Sequence, residues 1–62
     1  MSRDELLLEL RKNADATGAV EFKFSNDVVI KKQEQDALKS LENDGYIQRL
    51  TVALGYAIYR VF

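Results

Sequence analysis

The chain has 62 residues, of which 31% are charged, and its formal net charge is −1. A chain this short forms one domain and buries roughly 60% of its unfolded surface, so we expect modest stability. It contains no cysteine and no histidine. This excludes disulfides, thiolate metal sites and the commonest general base.

Enzymatic activity is not expected. Acid–base and nucleophilic catalysis need paired groups at a defined spacing, and the carboxylates, serines, lysines and tyrosines show no such spacing. Three scattered glycines cannot form a phosphate-binding loop, and a domain of this size hardly encloses a small-molecule substrate. The sequence therefore predicts no catalytic residue, no metal site and no cofactor.

The location that the sequence favours is the cytoplasm. No apolar run reaches the roughly 20 residues of a membrane span. The opening Ser2-Arg3-Asp4-Glu5 also lacks the basic start and apolar centre of a signal peptide. We therefore expect no membrane partner.

The first helix begins with the pattern of a capping box. Ser2 and Glu5 are three residues apart, so each side chain can bond an unpaired backbone N–H of the other. Apolar residues then recur at three- and four-residue steps, as on the buried face of a helix. Gly18 suits the turn that follows. The pattern predicts a helix over about residues 3–16, buried through Leu6, Leu7, Leu10 and Ala14.

A short strand follows this helix. Val20, Phe22 and Phe24 alternate with Glu21 and Lys23, which is the two-residue period of a strand with one buried face.

The segment Val28–Lys32 allows two interpretations. Its three consecutive β-branched residues favour a strand, which would form a hairpin around residues 25–27. Alternatively, Asp27 caps a helix that begins at once and runs to Asp44. We favour a helix that begins at residue 31 or 32, with residues 28–30 as a short extended or helical lead-in.

The second helix is clear from residue 33 to residue 43. Its inward positions are Ala37, Leu38 and Leu41. Gly45 suits the left-handed position after a helix.

A C-terminal hairpin completes the chain, with arms at residues 47–54 and 56–62 around Gly55. Both arms are rich in β-branched and aromatic residues. The second arm is apolar on both faces. It is therefore either an interface or edge strand that awaits a partner, or the central strand of the sheet, covered by the first helix. The candidate interface residues are Tyr56, Ile58, Tyr59, Val61 and Phe62.

The junction between the second helix and the hairpin resembles a known family. Leu38-x-x-Leu41-x-x-x-Gly45-Tyr46-Ile47 is similar to the corresponding stretch of winged-helix domains. The resemblance matches residues 6–14 to the first helix, 20–24 to the first strand, 33–44 to the recognition helix and 47–62 to the wing. The second helix of the family is short or missing here. The resemblance implies a single winged-helix-like α+β domain over residues 1–62, in the order helix-strand-helix-strand-strand.

The same resemblance implies a small DNA-binding or transcription-accessory protein that uses the 32–44 helix and the 47–62 wing. Such a protein needs donors on the exposed helix face and cations along the wing. Residues 46–62 carry two arginines and no acid, and are the net-positive part of the chain. The candidate contacts to double-stranded DNA are Lys31, Lys32, Gln35, Lys39, Asn43, Arg49 and Arg60.

Two other interpretations stay open. Lys32, Asp36, Lys39 and Glu42 could be a solvated helix face with ordinary charge pairs three or four residues apart. Alternatively, the chain could be a protein-interaction or dimerisation module that acts through its apolar hairpin, with a second copy or another protein as its partner and without binding nucleic acid.

Overall fold

A computed structural model describes residues 2–62 and has the predicted order of helix, strand, helix, strand and strand. The fold is a small α+β domain with a C-terminal antiparallel hairpin. Its elements are α1 (Arg3–Asn13), β1 (Ala19–Lys23), α2 (Val28–Asn43), β2 (Ile47–Ala53) and β3 (Tyr56–Val61).

Helix α1 begins as predicted and ends three residues early. The Ser2 hydroxyl accepts a hydrogen bond from the Glu5 backbone N–H at 3.2 Å, which satisfies one unpaired donor of the first turn. At the other end, one Asp15 carboxylate oxygen accepts bonds from the backbone N–H groups of Thr17 and Ala19, at 2.8 and 3.1 Å. This turn competes with the helix for the backbone and ends α1 at Asn13. The Thr17 hydroxyl, which also donates to it, holds the pKa of Asp15 below its ordinary value.

Helix α2 begins at Val28, so the predicted start at residue 31 or 32 is wrong and the Asp27-capped alternative is correct. One Asp27 carboxylate oxygen accepts bonds from the backbone N–H groups of Val29 and Ile30, at 2.9 and 3.1 Å. The side chains of Val28, Val29 and Ile30 are all exposed. The Asp27 cap therefore makes this segment helical, because its β-branched residues have no sheet to pack against.

The end of α2 is a glycine stop. The Gly45 N–H donates to the Glu42 carbonyl at 3.1 Å, and the Tyr46 N–H donates to the Leu41 carbonyl at 3.0 Å. These two bonds form the Schellman motif, which requires the positive φ of +83° that Gly45 adopts. The chain then enters β2 at Ile47, whose side chain is buried in the core.

The three strands form an antiparallel sheet in the order β1-β3-β2. Strand β3 is central, so the possibility that it is an edge strand is wrong. A bulge at Leu50 interrupts the register of β2, between the pairs Arg49–Tyr59 and Thr51–Ile58.

The core lies between the two helices and one face of the sheet. Arg3, at the start of α1, donates to the Ser40 hydroxyl at 3.1 Å and forms an ion pair with Asp44, near the end of α2. The start of α1 therefore lies against the last turn of α2. The opposite face of the sheet is not covered by either helix. The core residues are Leu6, Leu7, Leu10, Val20, Leu38, Leu41, Ile47, Ala57 and Tyr59.

Gly18 lies in the turn before β1 and is hydrogen-bonded to the end of β3. A side chain at this position should destabilise the fold. The Gly18 carbonyl accepts a hydrogen bond from the Val61 N–H at 2.8 Å, and the φ of Gly18 is +86°. A Cβ at this position would lie 2.7 Å from the Val61 carbonyl oxygen. We expect Gly18→Ala to lower the free energy of unfolding by about 2–3 kcal/mol, from backbone strain and this clash together.

Gly55→Ala is the matched control for this prediction. Gly55 has nearly the same φ, +85°, but a Cβ there would meet nothing within 4 Å. Its expected loss is therefore only about 1 kcal/mol. Urea unfolding of both variants measures the difference, and equal losses would refute the steric explanation.

Candidate nucleic-acid interface

A groove of about 530 Å³ lies between α2 and the hairpin. We call it the α2–hairpin groove. Four of the predicted DNA contacts line it, three from α2 and one from β2. The groove residues are Phe24, Gln35, Lys39, Glu42, Asn43, Arg49, Val52 and Tyr59.

Three residues on the helical wall of the groove lie on one side of α2, because the helical repeat places them there. Gln35, Lys39 and Asn43 are four residues apart and therefore share one face of the helix. All three are exposed. The opposite side of α2 buries Leu38 and Leu41 in the core, which fixes the direction in which this polar face points.

The strand wall depends on the β2 bulge. Arg49 pairs with Tyr59 and Val52 pairs with Ala57, and both partners belong to the core face of the sheet. In a regular strand Arg49 and Val52 would point to opposite faces, because they are three positions apart. The bulge at Leu50 shifts the alternation by one residue and places both on the same face. The bulge therefore brings a cation and an apolar side chain to the same groove.

The charges in the groove are mixed, with a small positive excess. Arg49 Nε lies 3.8 Å from a Glu42 carboxylate oxygen. Tyr59 lies beside this pair, with its side chain buried in the core face. Burial raises the pKa of Tyr59, and the Glu42 charge raises it further while the Arg49 charge opposes the shift. The phenol is therefore neutral at physiological pH.

Lys31 and Lys32 lie nearer the start of α2, outside the groove lining. Lys31 Nζ lies 5.9 Å from the centre of the Phe24 ring, within the range of a cation–π contact. Lys32 Nζ lies 3.4 Å from an Asp36 carboxylate oxygen, a pair of the kind expected on a solvated helix face. These two cations extend the polar face of α2 but are partly engaged within the protein.

Arg60 is not brought together with the other candidates. It pairs with Ala19 and Gln48 and alternates along β3 with the buried Tyr59, so it points to the uncovered face of the sheet. The two arginines of the hairpin therefore lie on opposite faces and do not form one basic surface.

The candidate interface residues of β3 are also divided. Tyr59 is buried in the core, and the half-buried Val61 packs against the core, so both lie on the face of the sheet that the helices cover. Tyr56 and Ile58 lie on the uncovered face, and Phe62 is exposed at the end of the strand. The alternation of β3 around a central position in the sheet explains this division.

Sequence reasoning missed the groove roles of Phe24, Glu42, Val52 and Tyr59. Glu42 could have been found, because it lies three residues after Lys39 on the same helix face. Val52 could not, because its direction depends on the bulge. Phe24 follows β1, and its backbone N–H donates to the Gly55 carbonyl at 2.9 Å. This bond joins residues that are far apart in the sequence, so the sequence alone does not indicate it.

Within residues 2–62, no group of three or more acidic side chains is placed to hold a metal ion. In the same residues, neither α1 nor α2 has the length and apolar character needed to cross a bilayer.

Comparison of the chain with models of protein families, with curated proteins and with solved structures found no match.

Proposed function

We propose that this protein binds double-stranded DNA as a small transcription-accessory protein, with α2 facing the major groove and β2 beside it. The observation that supports the proposal is the convergence of Gln35, Lys39, Asn43 and Arg49 on the solvent-open α2–hairpin groove. These side chains come from two elements that are far apart in sequence.

The side-chain chemistry of this surface suits base edges. The amides of Gln35 and Asn43 can each bond adenine through a donor and an acceptor, while Lys39 and Arg49 can donate to guanine. An α-helix fits the width of the major groove of B-DNA. The exposed face of α2 therefore offers both amide and cationic readers along about two turns of helix.

The order of elements supports the same proposal. One helix, a short strand, a longer helix and an antiparallel hairpin follow one another, as the winged-helix resemblance implies. Residues 24–27, between β1 and α2, form no separate helix. In this proposal α2 alone is the recognition helix, and α1 supports it through the shared core.

Association through the uncovered sheet face is the second candidate. Tyr56 and Ile58 lie on that face, which carries no helix. Three strands of about six residues span roughly 250 Å², whereas a stable interface buries about 800 Å² on each partner. DNA binding is therefore the first proposal. A dimer mass in sedimentation that is lost on Ile58→Asp would favour association.

The proposal is tested by titration of the protein with a mixed-sequence duplex at several salt concentrations. Contacts with about three or four phosphates predict a logarithmic affinity that falls with log salt at a slope of about −3. The chain carries a net charge of −1, so general attraction between unlike charges cannot supply such a slope. No binding at low salt, or an affinity that does not change with salt, would contradict the proposal.

A further inference from the structure

Glu42 is the acidic member of the α2–hairpin groove among the residues that the structure describes. It lies in the last turn of α2, between Lys39 on the same helix face and Arg49 across the groove. Its side chain is 32% exposed. A carboxylate at this place faces whatever enters the groove.

The Glu42 carboxylate keeps capacity to accept hydrogen bonds. Its nearest approach to Arg49 Nε is 3.8 Å, longer than a hydrogen bond between nitrogen and oxygen. The pair is therefore a charge–charge contact in a partly solvated place, which is weak. A ligand that brings a donor can bond the carboxylate without displacing a strong internal contact.

The two chemical parts of a duplex differ in what they offer to this carboxylate. Phosphate oxygens are acceptors with negative charge, so they are repelled by Glu42. The major-groove edges of cytosine and adenine carry amino groups that donate, and a glutamate accepts from cytosine N4 in known modes of base recognition. Glu42 therefore opposes contact with the backbone and favours contact with an amino-bearing base.

We infer that Glu42 is a specificity-determining residue, which makes the groove prefer cytosine or adenine, whose amino groups can donate to the carboxylate, over guanine or thymine at the base position that Glu42 faces. The inference rests on the proposed function, since it concerns the same groove. It adds the class of base that the site selects, and it explains why an acid stands among the cations of a DNA-binding surface.

The inference is tested with a randomised duplex library as the probe. Sequences are first selected with the wild-type protein, and affinities for the selected duplex and the unselected pool are then compared for wild type and Glu42→Gln. Loss of the charge should raise affinity for the pool by about two- to fivefold. Loss of the strong acceptor should reduce the preference for the selected duplex by about fivefold or more.

Glu21→Gln is the matched control, because Glu21 is exposed on the uncovered sheet face and the substitution changes net charge equally. It should leave the preference for the selected duplex unchanged. The inference is overturned if Glu42→Gln keeps the wild-type preference or changes it no more than Glu21→Gln does. A wild-type protein that binds neither pool nor selected duplex overturns the proposed function itself, and the inference with it.

Discussion

Leu41→Ala should lower the free energy of unfolding by about 2–5 kcal/mol. Leu41 is completely buried in the cluster that the two helices form with the sheet. The substitution removes apolar contacts and leaves a cavity that the short helices can fill only in part. A domain of this length has a total stability of about 3–9 kcal/mol. The substitution should therefore remove a large part of the total stability and lower the urea concentration at the unfolding midpoint.

Leu8→Ala provides the control for Leu41→Ala. Leu8 lies on α1 and is 69% exposed, so the same substitution removes little buried surface. Its expected effect is within about 0.5 kcal/mol. Urea unfolding followed by circular dichroism measures both. Similar losses for the two variants would contradict the core described above.

The double substitution Lys39→Gln/Arg49→Gln should have the largest effect on DNA binding. It removes both cations of the α2–hairpin groove and leaves shorter, uncharged polar side chains. Two lost phosphate or base contacts should weaken binding at low salt by about tenfold or more. If both cations contact phosphates, the salt slope should also become shallower by about 1.8. Titration of the same mixed-sequence duplex measures both quantities.

Lys23→Gln/Arg60→Gln tests whether position or net charge causes the loss. It removes one lysine and one arginine from the uncovered sheet face, where Lys23 pairs with Tyr56 and Arg60 with Ala19. The change in net charge equals that of the groove variant. We expect a loss of less than threefold. A loss as large as that of the groove variant would mean that general electrostatic attraction, not the groove, determines binding.

Much of the fold was predictable because local signals and packing agree. The Ser2 cap and the leucine stripe predict α1, and Gly45 predicts the end of α2 at the place where a Schellman motif forms. The start of α2 was not predicted, because β-strand propensity at residues 28–30 conflicts with the Asp27 cap. The cap prevails, since these exposed residues gain nothing from a strand without a partner.

The candidate site was only partly predictable. Gln35, Lys39 and Asn43 follow from helical spacing. The separation of Arg49 from Arg60 follows from the register of β2 on β3 and from the bulge at Leu50. The register and the bulge cannot be predicted from alternation along a single strand, because each depends on which residues face each other across the sheet. For the same reason Tyr59, a candidate interface residue in the sequence, lies in the core.

The most direct test of the proposed function is to map the DNA-contacting surface on the protein by NMR. Isotope-labelled protein is titrated with a short mixed-sequence duplex, and the shifts of the backbone amide signals are followed. We predict that the largest shifts lie at Gln35, Lys39, Asn43 and Arg49, around the α2–hairpin groove. Shifts concentrated at Glu21, Tyr56 and Ile58 on the uncovered sheet face, or no shifts at low salt, would contradict it.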